Sequence, residues 1–274
     1  MLTGQTRHSV RYHGRVPDHD LRALESYQLL PRLLHAVENP DTSVQLLGRT
    51  LTAPILPLFE APIPTTPDTL ALLSADAVLA QPDGPVGTSF IPLLKPEKMG
   101  HLMPKVRALA ARGVPGFVLD IGALAETPPY GPLEWHPRTR EDLAELRAAA
   151  GVPVWLYGVS SVADAETASE AGLEGIVVHT GAGLFLGAPA TAEVFPEIFD
   201  AVAGTIAVYA GGAVRSGIDV FRYLALGAEA VVVDCDRALH NLRAELAYAM
   251  RLTGCATLAD ISYEAIFAPL FSEL

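Results

Sequence analysis

Short runs of consecutive apolar residues alternate along the chain with longer segments whose apolar positions recur at helical spacing. Strand-like runs fall at 53–59 (APILPLF), 76–80 (DAVLA), 87–94 (GTSFIPLL), 116–121 (GFVLDI), 153–159 (PVWLYGV), 175–180 (GIVVHT), 205–211 (TIAVYAG) and 230–235 (AVVVDC). Most are continuous rather than alternating, the pattern of parallel strands covered on both faces. Amphipathic stretches at 97–113, 139–151, 161–172, 192–204, 217–227 and 237–254 separate them, several opening near Ser, Thr or Asp and stopping at Gly. Between the first two strands, 60–74 (EAPIPTTPDTLALLS) leaves room for only a short first helix.

Strand followed by helix, repeated eight times in about 250 residues, predicts a (β/α)8 TIM barrel rather than an open doubly wound sheet. The barrel is expected over residues 51–274 as one structural domain. Residues 1–50 form an N-terminal extension that covers its base or packs on one side.

Composition narrows the partners. Half of the 274 residues are hydrophobic, so a large core can be buried, and the net charge of -12 speaks against a protein that wraps nucleic acid or clings to anionic lipid. The two cysteines, Cys235 and Cys255, lack the number for a disulfide framework and the spacing of a metal knuckle. Two reduced thiols in a cytoplasmic protein are the expectation. No apolar stretch reaches the length of a membrane span, and the N-terminus has no signal-peptide core. A small soluble ligand is therefore expected, without nucleic acid, membrane or metal.

Ligands of such barrels bind at the carboxyl ends of the strands. The turn YAGGAVRSGIDVF (209–221) sets Gly211 and Gly212 at a strand end and Arg215, Ser216 and Gly217 at the start of the next helix. Small residues, a helix N-terminus and a guanidinium together suit an anion, with phosphate the obvious guest. A plain tight turn carrying a surface arginine is the alternative. Among other strand-end groups, Asp120, His179, Tyr157, Asp234 and Asp236 are candidates for chemistry. Each has a structural explanation beside it: a loop-orienting carboxylate, a hydrogen-bonded histidine, a packed tyrosine and a helix cap.

The segment LLPRLLHAVENPDTSVQLLGRTLTAPIL (29–56), the unit PVWLYGVSSVADAETASEAGLEGIVV (153–178) and the closing VRSGIDVFRYLALGAEAVVV and LRAELAYAMRLTGCATLADI together resemble the FMN-dependent α-hydroxy-acid dehydrogenase family, which includes glycolate and lactate oxidases. The resemblance implies a TIM barrel, FMN as cofactor, a 2-hydroxy acid substrate and a homo-oligomer. Its phosphate element Gly-Gly-Val-Arg-Arg-Gly is matched at Arg215 and Gly217, with Ala213 and Ser216 at two other positions. The family's catalytic base falls on Gly181, its substrate-carboxylate arginine on Leu184 and its flavin-side lysine on Tyr157. Oxidation by the family's own residues is thus not expected, because glycine cannot accept a proton and leucine cannot clamp an acid.

Three functions follow. One is an FMN-linked oxidoreductase in which His179 or Tyr157 serves as acid or base. Another is a non-catalytic homologue kept for binding or assembly. The last is a barrel enzyme of another class using Asp120, His179, Asp234 and Asp236.

Overall fold

The computed structural model describes residues 18–59, 69–81, 89–122, 136–181, 187–234 and 239–268. In chain order, α1 (Asp18–Glu25) leads to β1 (Gln28–Leu29), to the hairpin β2 (Val44–Leu46) and β3 (Arg49–Leu51), and then to the barrel. The barrel comprises β4 (Ile55–Phe59), β5 (Ala71–Ser74), α2 (Ala75–Leu79), β6 (Phe90–Leu94), α3 (Met99–Ala110), β7 (Phe117–Asp120), α4 (Arg140–Ala150), β8 (Val154–Val159), α5 (Val162–Glu170), β9 (Gly175–Val178), α6 (Thr191–Val202), β10 (Ala207–Gly211), α7 (Gly217–Ala225) and β11 (Val231–Asp234). It is followed by α8 (Leu239–Thr253) and by β12 (Ile266–Phe267), which pairs antiparallel with β1.

Strands β4 to β11 are parallel and close into an eight-stranded barrel, the last pairing with the first through Val231 and Ile55. Seven of the eight expected strands lie on the barrel. The second does not sit at 76–80: β5 is Ala71–Ser74, and DAVLA instead forms α2. Both stretches are short and apolar, so period alone cannot separate them. Burial does, since all of Ala71, Leu72 and Leu73 are enclosed, whereas only Ala75 and Val78 of α2 are, at helical spacing.

Two apolar layers hold the fold. Helices α3 to α8 pack their buried stripes, among them Val106, Leu146, Phe195, Phe221 and Leu246, against the outside of the strands. The lumen is filled by Leu56, Leu72, Ile91, Val118, Trp155, Val177, Tyr209 and Val232, with the Trp155 and Tyr209 rings stacked at 6.2 Å. Leu46 and Leu47 of the β2–β3 turn and Leu51 join this group, so the hairpin plugs the amino end of the barrel. The carboxyl end is left for the site.

Local signals set the helix boundaries. Thr139 caps α4 by accepting from the Asp142 N–H while Asp142 accepts from the Thr139 N–H, and Gly151 ends the helix at φ 63°. Thr139→Ala is expected to cost about 1 kcal/mol. Thermal unfolding should register this as a drop of roughly 2–4 °C.

Candidate active site at the carboxyl end of the barrel

Side chains alternate between faces along a strand, so residues two places beyond the lumen layer stand at the mouth. Asp120 follows Val118, Tyr157 follows Trp155, His179 follows Val177, and Gly211 follows Tyr209. Asp120 and Tyr157 are also register partners across β7 and β8. Of the five residues predicted to do chemistry, Tyr157 and His179 meet directly, with ring centroids 4.9 Å apart and planes tilted by 31°. Asp120 reaches the same mouth from β7, half-buried.

The Tyr157 position depends on a backbone irregularity. Register shifts between Tyr157 and Val159, and Gly158 takes φ 92°. A Cβ on Gly158 would lie 2.4 Å from the Gly122 nitrogen, so glycine at 158 lets the ends of β7 and β8 close together.

His179 is fixed through its N–H, which donates to the Val159 carbonyl at 3.0 Å. Its ring lies against three glycines. A Cβ on Gly181 would come 2.5 Å from His179 Cε1, one on Gly212 2.8 Å from Cδ2, and one on Gly211 3.4 Å from Cδ2. The imidazole therefore occupies the space into which a side chain at 181 would project.

The predicted anion turn divides into two parts. Gly212 at φ 81° and Ala213 at φ 57° curl the chain in two successive left-handed residues, an arrangement that costs alanine on the order of 1 kcal/mol. The Tyr223 hydroxyl donates to the Gly212 carbonyl at 3.1 Å and holds it to the interior. Arg215 follows, exposed. Beyond it the donors serve the helix. The Arg215 and Ser216 N–H groups both donate to Asp219 Oδ2 at 2.9 Å, and Ser216 Oγ caps the Asp219 N–H in return. The Gly217 N–H donates to Glu245 Oε2 at 2.7 Å. Ser216 and Gly217 are thus accounted for by capping and packing of α7. Gly212, Ala213 and the Arg215 side chain are the part of the turn not used by the cap of α7 in this way. The Asp219 carboxylate beneath is matched by Arg222 at 2.6 Å, so it does not oppose an anion.

Sequence reasoning missed Asp20. This α1 carboxylate is 1% exposed and accepts the Thr191 N–H at 2.8 Å, beside the carboxyl ends of β9 and β10. The signal was present: Asp20 lies next to Leu21 and four residues before Leu24, both buried, which places a carboxylate on the apolar stripe of its helix. The Asp234 backbone ends β11 beside Leu58. Leu184, Cys235, Asp236 and Arg237 lie outside the described residues, as does the Asp234 side chain. Cys255 is a buried thiol next to the Thr253 hydroxyl. Among the described residues no group of three or more His, Cys, Asp or Glu could hold a metal ion, and no helix is long and apolar enough to cross a membrane.

The closed parallel barrel thus sets an imidazole, a phenol and a carboxylate at its carboxyl end, with a glycine turn after its seventh strand, the end at which barrels of this architecture bind ligands. Residues 132–268, half of the chain, match the family model described as FMN-dependent dehydrogenase. The chain belongs to that family. It is 40% identical over 139 residues to an L-lactate oxidase of Roseobacter sp. (strain GAI101), a match covering 45% of this chain and 38% of that protein. To 2-hydroxyacid oxidase 1 of Homo sapiens it is 38% identical over 136 residues, 44% of this chain and 37% of the relative. A longer match, 26% identical over 313 residues, joins 89% of the chain to 76% of an L-lactate oxidase of Lactobacillus jensenii. The chain's match to the first of these relatives therefore spans well under half of that relative's length.

Solved structures agree on the fold. A mandelate oxidase mutant with (S)-mandelic acid superposes with a TM-score of 0.74 at 23% identity, covering 91% of this chain and 88% of that one. A putative lactate oxidase of Pediococcus acidilactici gives 0.73 at 20% identity over 93% and 86%.

Proposed function

We propose that this chain is an FMN-dependent oxidoreductase of the hydroxy-acid oxidase kind in which His179 has taken over the place of the base. The observation that carries this is the position of the imidazole, 2.5 Å from where a Cβ at Gly181 would stand. Glycine at the family's base position and histidine two residues earlier are one change: the lost side chain makes the room that the new one fills. This deepens the sequence reading, in which His179 was a candidate replacement for an absent catalyst.

The residues present fit the cofactor. Gly212 and Ala213, at φ 81° and 57°, make a tight turn at the end of β10, and Arg215 follows it with an exposed guanidinium. Gly212, Ala213 and Arg215 would hold the phosphate. FMN, when bound, supplies the acceptor for the hydrogen that leaves carbon with its electron pair. The chain's own part is proton handling and exclusion of water. A neutral His179 takes the proton of a substrate hydroxyl, and Tyr157 donates a hydrogen bond at the mouth where the family carries a lysine. It brings no positive charge at neutral pH. Asp120 is the remaining acid at the mouth. The substrate class is a small 2-hydroxy acid, held without the family's carboxylate arginine, and a homo-oligomer is the expected assembly.

The visible spectrum of the purified chain tests this reading. A yellow protein that releases FMN on denaturation and is bleached anaerobically by a 2-hydroxy acid, L-lactate or (S)-mandelate among those tried, is the expected result. A colourless protein that ignores added FMN would overturn it in favour of a non-catalytic homologue.

A further inference from the structure

We propose that Asp20, delivered by the N-terminal helix α1, is the positioning residue for His179, the carboxylate partner that orients its imidazole and stabilises the protonated form. The proposal rests on the reading of His179 as the proton acceptor. It arises from what the mouth encloses rather than from the barrel strands themselves.

A carboxylate is rarely so fully buried unless it is paired. Asp20 is 1% exposed, and its Oδ1 accepts the Thr191 N–H at 2.8 Å. Its other oxygen faces His179 across Gly212. A methyl carbon placed on Gly212 would lie 3.2 Å from Asp20 Oδ2 and 3.0 Å from His179 Nε2. The two groups are therefore no more than about 6 Å apart, within the range where opposite charges shift each other's ionisation. A side chain at 212 would meet both groups, and the position is a glycine at φ 81°.

The groups around the pair place His179 as the charge partner that Asp20 gains when the imidazole takes up a proton. Burial raises the Asp20 carboxyl above its usual value, and the Thr191 N–H, His179 and then His19 draw it part of the way back. His19 lies at the surface with its Nε2 3.2 Å from Glu193 Oε2. From α7, Tyr223 is buried and its phenol is held well above the usual range, first by burial and then by Asp20 and Asp219, so it stays neutral. Asp219 is matched by Arg222. From the Thr180 side the contacts are neutral, with the Thr180 N–H donating to Thr191 Oγ1 at 3.1 Å. The imidazole also meets the Tyr157 ring, with centroids 4.9 Å apart.

The test is the titration of His179 followed by NMR in isotope-labelled histidine, with the resonance assigned by its loss in His179→Gln. In Asp20→Asn the imidazole pKa is expected to fall by about one unit, because the anion that favours the charged ring is gone. An unchanged pKa in a folded Asp20→Asn protein overturns the proposal. Should that variant fail to fold, the reciprocal measurement decides: in His179→Gln the Asp20 carboxyl pKa is expected to rise, and an unchanged value overturns the pairing. Neither readout involves flavin. A colourless protein with a coupled pair would remove the oxidoreductase reading and keep the pair, and a yellow protein with uncoupled groups would do the reverse.

Discussion

Gly217→Ala is expected to lower the melting temperature by roughly 6–12 °C, the equivalent of about 3 kcal/mol in a protein of this size. Gly217 opens α7 where that helix lies against α8. A Cβ there would stand 2.1 Å from the Leu242 carbonyl oxygen, 2.2 Å from the Leu246 nitrogen and 2.7 Å from the Glu245 carbonyl carbon. All three are backbone atoms inside a helix, so no rotamer change relieves the contact. The helices must separate, and separation also lengthens the Gly217 N–H to Glu245 bond that caps α7. Circular dichroism during heating checks this; a transition within about 2 °C of the parent would show that α7 and α8 are not packed this tightly. The outcome bears on function, since the same glycine was an anion-binding candidate. Strong destabilisation with retained ligand affinity in the folded fraction would assign it to packing.

That double meaning marks the limit of what the sequence shows about the site. Glycine-rich turns after barrel strands are legible as a pattern, yet the pattern does not say which glycines face a ligand and which face a helix. In 211–217 the answer comes from partners: Ser216 and Gly217 are committed to Asp219 and Glu245, and Gly212 to the crossing of Asp20 and His179. The barrel was more legible, because runs such as GIVV and AVVV have one stable place in a parallel sheet. The second strand was misplaced for a local reason: LALLS and DAVLA are equally short, equally apolar and adjacent. His179 was found by its place at a strand end. Its overlap with position 181 depends on how the backbone turns after β9, which no residue pattern reports.

Asp20 is the instructive omission. A segment ahead of the barrel gives no pattern by which one of its charged groups would be placed at the mouth. A carboxylate at i with buried leucines at i+1 and i+4 breaks the binary pattern of an amphipathic helix. Such a break is where a buried polar group, and often a site, is to be sought.

The second large effect follows from the site itself. If the imidazole of His179 accepts the substrate proton, His179→Gln keeps a side chain of similar reach and removes the base. General-base catalysis of this kind contributes about 10²- to 10⁴-fold to rate. Glutamine retains the backbone N–H bond to Val159, while loss of the imidazole leaves the buried Asp20 carboxylate without its partner, so stability falls and rates are compared in the folded, flavin-loaded protein. The most direct measurement is therefore anaerobic flavin bleaching by a 2-hydroxy acid in stopped flow, parent against His179→Gln, with bound FMN verified by its spectrum in both. A fall of about 10²-fold or more in the bleaching rate, with the spectrum retained, is the predicted result. Equal rates in the two proteins would contradict the account, placing proton transfer on Tyr157, Asp120 or another group and leaving His179 as part of the wall.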